Sequence, residues 1–212
     1  MAKSNTSENK IGEGLDEKLV DPNPVNQFQR WLDEAIAAHI PLPEAMTLAT
    51  ATAEGKPSAR LVLLKRVDEN GFVFFTNYQS DKARDLDNNP FAALVFYWPH
   101  FERQVRVEGQ VQRTSDAESR EYFQTRPRES QIGALASPQS EVISGREVLE
   151  QRAAELEQLY RDRTIECPAH WGGYRLLPER IEFWKGRVGR LHDRILYELQ
   201  ADGSWTIKRL AP

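Results

Sequence analysis

The strongest constraint on the fold of this chain is a succession of short strand-like segments joined by turns. Segments 46–53 and 58–67 flank Glu54-Gly55-Lys56-Pro57, a sequence that predicts a hairpin turn. β-Branched and aromatic residues predict further strands over 71–77, 92–98, 103–111, 174–177, 180–185, 193–199 and 205–209. Strands connected in this way favour an antiparallel barrel over a doubly wound sheet.

Helices are predicted between these strands. Apolar residues at helical spacing predict a helix over 26–39. Others are predicted over 80–88, 116–125 with Ser115 as N-cap, 128–136 with Pro127 in first position, and 145–163. The fold class is therefore mainly β with added helices (α+β). Residues 1–22 are polar and predict a flexible N-terminal arm, and 23–212 predict a single domain because no long linker interrupts them.

Composition argues against several classes of protein. Hydrophobic residues make up 40% of the 212 residues, charged residues make up 28%, and the net charge is −4. That balance is globular, and it lacks the basic excess that is usual in nucleic-acid-binding proteins. No apolar run is long enough to span a membrane, and Cys167 is the one cysteine. We therefore expect a cytoplasmic protein without a disulfide.

The motifs of several common enzyme classes are absent. The sequence has no GxGxxG after a strand, no GxxxxGK[ST] and no GxSxG, and its four histidines lack metal-ligand spacing. No metal site is predicted. Arginines gather in 103–128 and 175–194, which in an acidic chain indicates either binding of small anions such as phosphate or a solvated surface.

Several long stretches resemble the pyridoxine/pyridoxamine 5'-phosphate oxidase family. They are RLVLLK (60–65), FFTNYQSDKARDLDNNP (74–90), RQVRVEGQV (103–111), YFQTRPRESQIGALASPQS (122–140), WGGYRLLPERIEFWKGR (171–187), RLHDR (190–194) and RLAP (209–212). The resemblance covers about residues 24–212 in the family's order. It implies an antiparallel split barrel that works as a homodimer, with FMN in the groove between the subunits.

The resemblance also implies a cofactor site. Arg60 and Lys82 would bind the FMN phosphate, Phe75 and Thr76 would line the flavin, and Gln104 would reach the isoalloxazine ring. The partner subunit would supply Gln139, Ser140, Trp184 and Arg194, and the RLVLLK strand would add Leu61, Val62, Leu63, Leu64 and Lys65. Without the resemblance, Arg60 and Lys82 could be ordinary surface charges, and Trp184 could be a core residue.

A second anion site is implied for the substrate phosphate, with Lys65, Tyr122, Arg126 and Ser130 as its residues. Tyr122 and Arg126 are four residues apart and would share a helix face. Ser130 falls in the first turn of the next helix, where free backbone N–H groups suit a phosphate. The alternative is a role in helix capping and surface charge.

The RLHDR stretch supplies the predicted catalytic residues. By resemblance, Arg190 and His192 lie beside the pyridine ring of the substrate, and Arg194 lies on the flavin. On a strand, positions 190, 192 and 194 would point to one face.

The sequence departs from the family in two places. Asp81 stands where many members have arginine, and residues 1–22 contain neither the arginine nor the tyrosine that many members carry in this arm.

The resemblance implies oxidation of pyridoxine or pyridoxamine 5'-phosphate by O₂ to pyridoxal 5'-phosphate, with release of H₂O₂. The alternatives are a split-barrel flavin enzyme with another substrate and a non-catalytic flavin- or pyridoxal-phosphate-binding module. Neither nucleic acid nor membrane is expected as a partner.

Overall fold

A computed structural model describes residues 14–212, which form one antiparallel sheet with helices on its faces and edges. The strands are β1 (Ala45–Ala51), β2 (Pro57–Leu63), β3 (Arg66–Asp68), β4 (Gly71–Asn77), β5 (Phe91–Trp98), β6 (Arg103–Arg113), β7 (Trp171–Lys185), β8 (Asp193–Leu199) and β9 (Trp205–Arg209). The helices are α1 (Pro24–Ala37), α2 (Asp81–Asn88), α3 (Asp116–Thr125), α4 (Arg128–Ala136) and α5 (Arg146–Leu159). Two short 3-10 turns span Pro99–Phe101 and Val188–Arg190.

The sheet divides along β7, the longest strand. Its strand order is β2-β1-β5-β6-β7-β4-β3, and β8 and β9 extend from β7. One edge of β7 pairs with β6 over residues 174–185, whereas the other edge pairs with β4 over residues 171–176 and with β8 over 180–185. This branching confirms the predicted antiparallel split barrel.

Two of the predicted strand divisions are wrong. Segments 174–177 and 180–185 form the single strand β7, because Pro178 lies at a β-bulge where the pairing with β6 shifts between Glu108 and Gly109. Segment 58–67 is instead two strands, because β2 pairs with β1 and β3 pairs with β4. The chain therefore leaves one part of the sheet and joins another between Leu63 and Arg66.

Most other elements were predicted closely. β4, α3, β8 and β9 have the predicted bounds, and Ser115 caps α3 through a capping box with Glu118. Pro127 is the N-cap of α4 and not its first residue, and α5 ends at Leu159. None of the helices in the described part of the chain is both long and apolar enough to cross a bilayer.

The main core lies between α1 and the concave face of the sheet. Phe28 of α1 is fully buried, with its ring centroid 4.9 Å from that of Phe72 and 4.7 Å from that of Phe96. Trp31 packs edge-on against Phe183 at 5.2 Å. Burying each such side chain stabilises the fold by about 1.5–3 kcal/mol. A smaller cluster contains Phe123, Ile132, Ile165 and Trp171 beneath α3 and α4, and it supports the site described below.

The predicted flexible arm (1–22) falls partly outside the described residues. Residues 14–22 lie against β8 and β9. The Leu15 N–H donates to Asp193 Oδ2 (3.1 Å), Arg209 Nη2 donates to the Leu15 carbonyl (2.7 Å), and the Tyr197 hydroxyl donates to the Asp21 carbonyl (2.7 Å). This stretch therefore has specific contacts with the end of the sheet.

The bulge in β7 generates a prediction about Gly109. A Cβ at this position would lie 1.9 Å from the Leu177 carbonyl oxygen and 3.0 Å from the Glu179 nitrogen, so the backbone would have to shift. We expect Gly109→Ala to lower the free energy of unfolding by roughly 1–3 kcal/mol in a urea titration at fixed protein concentration.

Gly133→Ala is the matched control for Gly109→Ala. Gly133 lies within α4, and a Cβ there meets nothing within 4 Å. It should leave stability unchanged or raise it by about 0.5–1 kcal/mol, because alanine is the better helix former. Equal stabilities of the two variants would contradict the close contact at the bulge.

Candidate functional site

A cavity of about 820 Å³ opens between β2, β4, α2 and the α3–α4 region. This volume is typical of small-molecule sites. The residues predicted from the sequence that line it are Arg60, Leu61, Val62, Leu63, Lys65, Phe75, Thr76, Lys82, Tyr122, Arg126, Ser130, Gln139 and Ser140. Residues far apart in the sequence, from both predicted phosphate sites, thus share one cavity.

Lys82 is a cation whose hydrogen-bond partners are neutral oxygens. Its Nζ lies 2.9 Å from Gln139 Oε1, 3.2 Å from Thr76 Oγ1 and 3.1 Å from Ser80 Oγ. Burial, assisted by the nearby charge of Arg60, lowers the pKa of Lys82 to about 8, although Asp81 opposes the shift. An anion placed here would stabilise the ammonium form.

Arg60 is anchored mainly by uncharged oxygens. Its Nη1 donates to Thr50 Oγ1 (2.7 Å) and to the Leu48 carbonyl (3.3 Å), and its Nη2 donates to Ser58 Oγ (2.6 Å). The nearest carboxylate, that of Asp85, is 3.9 Å away. Burial lowers the pKa of Arg60, and the two acidic neighbours Asp85 and Asp81 counteract that shift. Arg60 and Lys82 together give this end of the cavity positive charge.

Asp81, the departure from the family pattern, also lines the cavity. Its carboxylate forms an ion pair with Arg84, one turn along α2. Its backbone N–H donates to Ser140 Oγ at 3.2 Å. The carboxylate thus has a cationic partner of its own.

Gln139 and Ser140 lie in the cavity of their own chain. The segment after α4 folds back over α2, so that Gln139 contacts Lys82 and Ser140 contacts Asp81. Their predicted contact with FMN of the partner subunit stays a prediction.

Tyr122 and Arg126 lie at the α3–α4 end of the cavity. Arg126 follows the last residue of α3 and has extended backbone angles, so the argument from a shared helix face fails, although both side chains reach the cavity. The Arg126 guanidinium carbon is 4.6 Å from the centroid of Trp171, and its buried Nη1 has no hydrogen-bond partner among the described residues. Burial lowers the pKa of Arg126. Ser130 lies in the first turn of α4, as predicted.

Three aromatic rings form a stack beside Arg126. Phe75 lies 4.1 Å from Tyr122 and 5.4 Å from Trp171, with interplanar angles of 20° and 11°. The sequence reasoning missed Trp171, which also lines the cavity. The sequence signal that could have pointed to this position is the adjoining pair Gly172-Gly173, which indicates close packing of the backbone. A Cβ on Gly172 would lie 2.2 Å from the Tyr78 hydroxyl, and one on Gly173 would lie 2.5 Å from Thr114 Oγ1.

The remaining predicted residues lie outside this cavity. Leu64 belongs to the main core. Gln104, Trp184 and Arg194 are direct neighbours in the register of β6, β7 and β8, and the His192 ring is 4.7 Å from that of Trp184. We call Gln104, Trp184, Arg190, His192 and Arg194 the β6–β8 cluster. Trp184 is half-buried on the face opposite Phe183, so it is not a core tryptophan.

Within the β6–β8 cluster, the strand argument for Arg190 and His192 is wrong. Arg190 ends the 3-10 turn, and both it and Gly189 have positive φ angles, so β8 begins only at Asp193. His192 Nδ1 accepts a hydrogen bond from the Arg187 N–H at 3.1 Å. Arg194 forms a bidentate pair with the buried Glu182 carboxylate at 2.8 and 3.0 Å.

Comparison with known proteins identifies the family. Residues 32–160 match the family described as pyridoxamine 5'-phosphate oxidase, and residues 171–212 match the pyridoxine 5'-phosphate oxidase C-terminal dimerisation region. The chain belongs to the pyridoxamine 5'-phosphate oxidase family. Trp184, Arg190, His192 and Arg194 all fall within the dimerisation region of this family.

Similar proteins extend over nearly the whole oxidase chain. The pyridoxine/pyridoxamine 5'-phosphate oxidase of Nostoc sp. is 57% identical over 200 residues, with 94% of each chain covered. That of Cupriavidus necator is 57% identical over 201 residues, with 93% of each chain covered. Relatives of this name and similarity support an oxidase acting on vitamin B6 phosphates.

Two solved structures extend the comparison. PhzG from Burkholderia lata, in complex with tetrahydrophenazine-1-carboxylic acid, is 32% identical, with a TM-score of 0.88 and coverage of 92% of this chain and 96% of PhzG. A pyridoxamine 5'-phosphate oxidase-related, FMN binding protein from Nostoc punctiforme is 18% identical, with a TM-score of 0.69 and coverage of 87% and 97%. The second likeness shows the fold alone.

The burial of Lys82 and the nearby charge of Arg60 generate a prediction about the titration of Lys82. In the ligand-free protein we expect the Lys82 ε-carbon to titrate near pH 8 in lysine-selective ¹³C NMR, with Lys82→Arg used to assign the signal. Arg60→Gln should raise this pKa because it removes the nearby positive charge. Arg113→Gln is the control, since Arg113 pairs with Asp87 elsewhere. A midpoint close to 10.5 in the unsubstituted protein would contradict the prediction.

Proposed function

We propose that this oxidase converts pyridoxine 5'-phosphate or pyridoxamine 5'-phosphate to pyridoxal 5'-phosphate with FMN as cofactor and O₂ as oxidant. The products would include H₂O₂, and also ammonia from the amine. The observation that carries the proposal is that four cationic residues line one cavity. We assign them to two pairs, Arg60 with Lys82 and Arg126 with Lys65. A phosphorylated cofactor and a phosphorylated substrate need two such groups.

The residues present fit FMN. Lys82 has a lowered pKa and only neutral oxygen partners, so a phosphate at this end of the cavity would restore its preference for the charged form. Arg60 would share that phosphate, and Phe75 and Thr76 would line the ring system. When bound, FMN supplies an acceptor for two electrons and a proton from C4' of the substrate, and it passes the electrons to O₂.

The substrate phosphate is assigned to Arg126, Tyr122, Ser130 and Lys65. The Arg126 side chain has no acidic or hydrogen-bonding partner among the described residues, and Ser130 adds a hydroxyl near the start of α4. A phosphate would give this guanidinium the anionic partner that the described residues do not supply. These groups hold a part of the substrate that does not react.

The β6–β8 cluster is assigned to the site of the partner subunit in a homodimer. None of its five residues lines the cavity of its own chain, and four of them fall within the matched dimerisation region. Arg190 and His192 would orient the C4' substituent, while Gln104, Trp184 and Arg194 would contact the flavin. Orientation of two bound rings accounts for most of the proposed acceleration.

With Cys167 as its one cysteine, the chain requires no oxidising compartment, and we propose that it acts in the cytoplasm.

Turnover by the purified, FMN-loaded protein tests the proposal. We expect pyridoxal 5'-phosphate and H₂O₂ to form in equal amounts from pyridoxine 5'-phosphate, and ammonia to form as well from the amine. The same assay with tetrahydrophenazine-1-carboxylic acid examines the alternative raised by PhzG. Absence of turnover with both B6 phosphates, or recovery of FAD instead of FMN from the pigment, would overturn the proposal.

Substitutions of Arg126 and of Arg190 should differ in their kinetic effects. Arg126→Ala should mainly raise KM, about ten- to hundredfold, because it removes a charged hydrogen bond to a group that does not react. Arg190→Ala should also lower kcat, because its proposed position is beside the reacting carbon. Steady-state kinetics with saturating FMN measure both. The assignment is wrong if Arg126→Ala lowers kcat at unchanged KM or if Arg190→Ala changes neither parameter.

Mixed dimers test whether each site uses both subunits. If Arg126 and Arg190 of one site come from different chains, a dimer of one Arg126→Ala and one Arg190→Ala subunit contains one site with both arginines. Co-refolding of equal amounts should then restore about a quarter of the wild-type activity, because half the dimers are mixed and one of their two sites is intact. The control is the double variant Arg126→Ala/Arg190→Ala refolded alone, which contains no site with both arginines. No restoration would place both arginines of a site on one chain.

A further inference from the structure

Arg126 is held by aromatic rings and not by a carboxylate. Its guanidinium carbon lies 4.6 Å from the centroid of Trp171 and 5.6 Å from that of Phe123. No ion pair or hydrogen bond of its side chain is found within residues 14–212, and its Nη1 is buried without a partner. Two other arginines have carboxylate partners: the buried Arg175 pairs with Asp68 and Glu118, and the half-buried Arg194 pairs with Glu182.

The position of Trp171 is itself strongly determined. Trp171 begins β7 opposite Asn77, and its N–H donates to the Pro168 carbonyl at 3.0 Å. Its ring lies nearly parallel to Phe75 and edge-on to Phe123, at centroid distances of 5.4 and 5.1 Å. Gly172 and Gly173 then allow β7 to pack closely against its neighbours. The indole is therefore a fixed surface in the cavity wall, with an exposed fraction of only 7%.

An aromatic support has a chemical advantage over a carboxylate at this point. A carboxylate would occupy the N–H donors of Arg126 and compete with an incoming phosphate. The face of an indole attracts the cation while leaving the N–H groups at the edge of the guanidinium available. The same support also fixes Tyr122, whose ring lies at an angle of only 9° to that of Trp171.

We propose that Trp171 is a positioning residue for the substrate phosphate: its indole face holds the Arg126 guanidinium towards the cavity with its donors free. This inference rests on the proposed function, since it takes the phosphate of a B6 substrate as the ligand of Arg126. Trp171 acts through Arg126, so its loss weakens binding of the phosphate and leaves the chemical step largely unchanged.

Substitution of Trp171 tests the inference in the FMN-loaded protein. We expect Trp171→Leu to raise KM for pyridoxine 5'-phosphate about tenfold and Trp171→Phe about threefold, with kcat within about twofold of wild type, because phenylalanine keeps a smaller and weaker cation-binding face. Trp205→Leu is the matched control, since Trp205 is a half-buried tryptophan of β9 outside the cavity. It should leave both parameters unchanged. An unchanged KM in Trp171→Leu, or a fall in kcat alone, would overturn the inference.

A double-variant comparison separates positioning from general structural damage. Once Arg126 has been replaced by alanine, Trp171→Leu should raise KM by less than about twofold further, because the residue through which it acts is gone. If the two effects multiply independently, Trp171 does not act through Arg126. Should Trp171→Leu fail to show a cooperative melting transition, Trp171→Phe decides, and a wild-type KM in that variant overturns the inference.

Calorimetric titration with inorganic phosphate keeps the inference separate from the proposed function. With the cofactor site filled by FMN, phosphate should bind more weakly to Trp171→Leu than to wild type by about the factor seen in KM, and Trp171→Phe should lie between them. Absence of turnover in the wild type would overturn the proposed function while leaving this titration able to decide. Equal phosphate affinities in all three proteins would overturn the role of Trp171 even if turnover is as proposed.

Discussion

The division of β7 between two neighbours is the constraint on which the rest of the structure depends. A single strand pairs with β4 before the bulge at Pro178 and with β8 after it, while β6 pairs with its other edge over residues 174–185. Gly109 permits the close approach at the bulge. The first half of β7 therefore brings Trp171 to the cavity, and the second half brings Trp184 beside Gln104 and Arg194. One backbone irregularity thus separates Trp171 and the cavity from the β6–β8 cluster within one chain.

The buried and half-buried cations of the protein fall into two classes, which differ in the groups that surround them. Arg175 and Arg194 are buried or half-buried beside carboxylates, which compensate their desolvation and fix elements of the fold to one another. Lys82 and Arg126 have neutral oxygens or aromatic rings as neighbours, and burial lowers the pKa of each. Groups of the second kind gain most from an arriving anion. Within residues 14–212, the lack of a neutralising partner for Lys82 and Arg126 thus supports the anion-binding roles proposed for them.

Sequence reasoning succeeded where local interactions decide the structure. β4, α3, β8 and β9 were bounded correctly, because alternation, turn residues and the Ser115 capping box are read within a few positions. It failed where pairing over long distances overrides local signals. Segments 174–177 and 180–185 were predicted as separate strands, but they form one strand across the bulge. Segment 58–67 was predicted as one strand, but after Leu63 the chain pairs with a different strand. The turn at Arg190 was missed because positive φ angles in a non-glycine residue leave no pattern.

The sequence by itself determined the antiparallel fold class, the family, and the identity of most side chains that line the cavity, because long motifs and hydrophobic periodicity are written in consecutive residues. Only the tertiary structure decided which of those residues share a cavity, that Gln139 and Ser140 line the cavity of their own chain, and that Arg126 lies on Trp171 and not beside an acid. The reason is physical: pKa values, desolvation and ring contacts depend on distances between segments that are remote in the chain, and composition does not specify those distances.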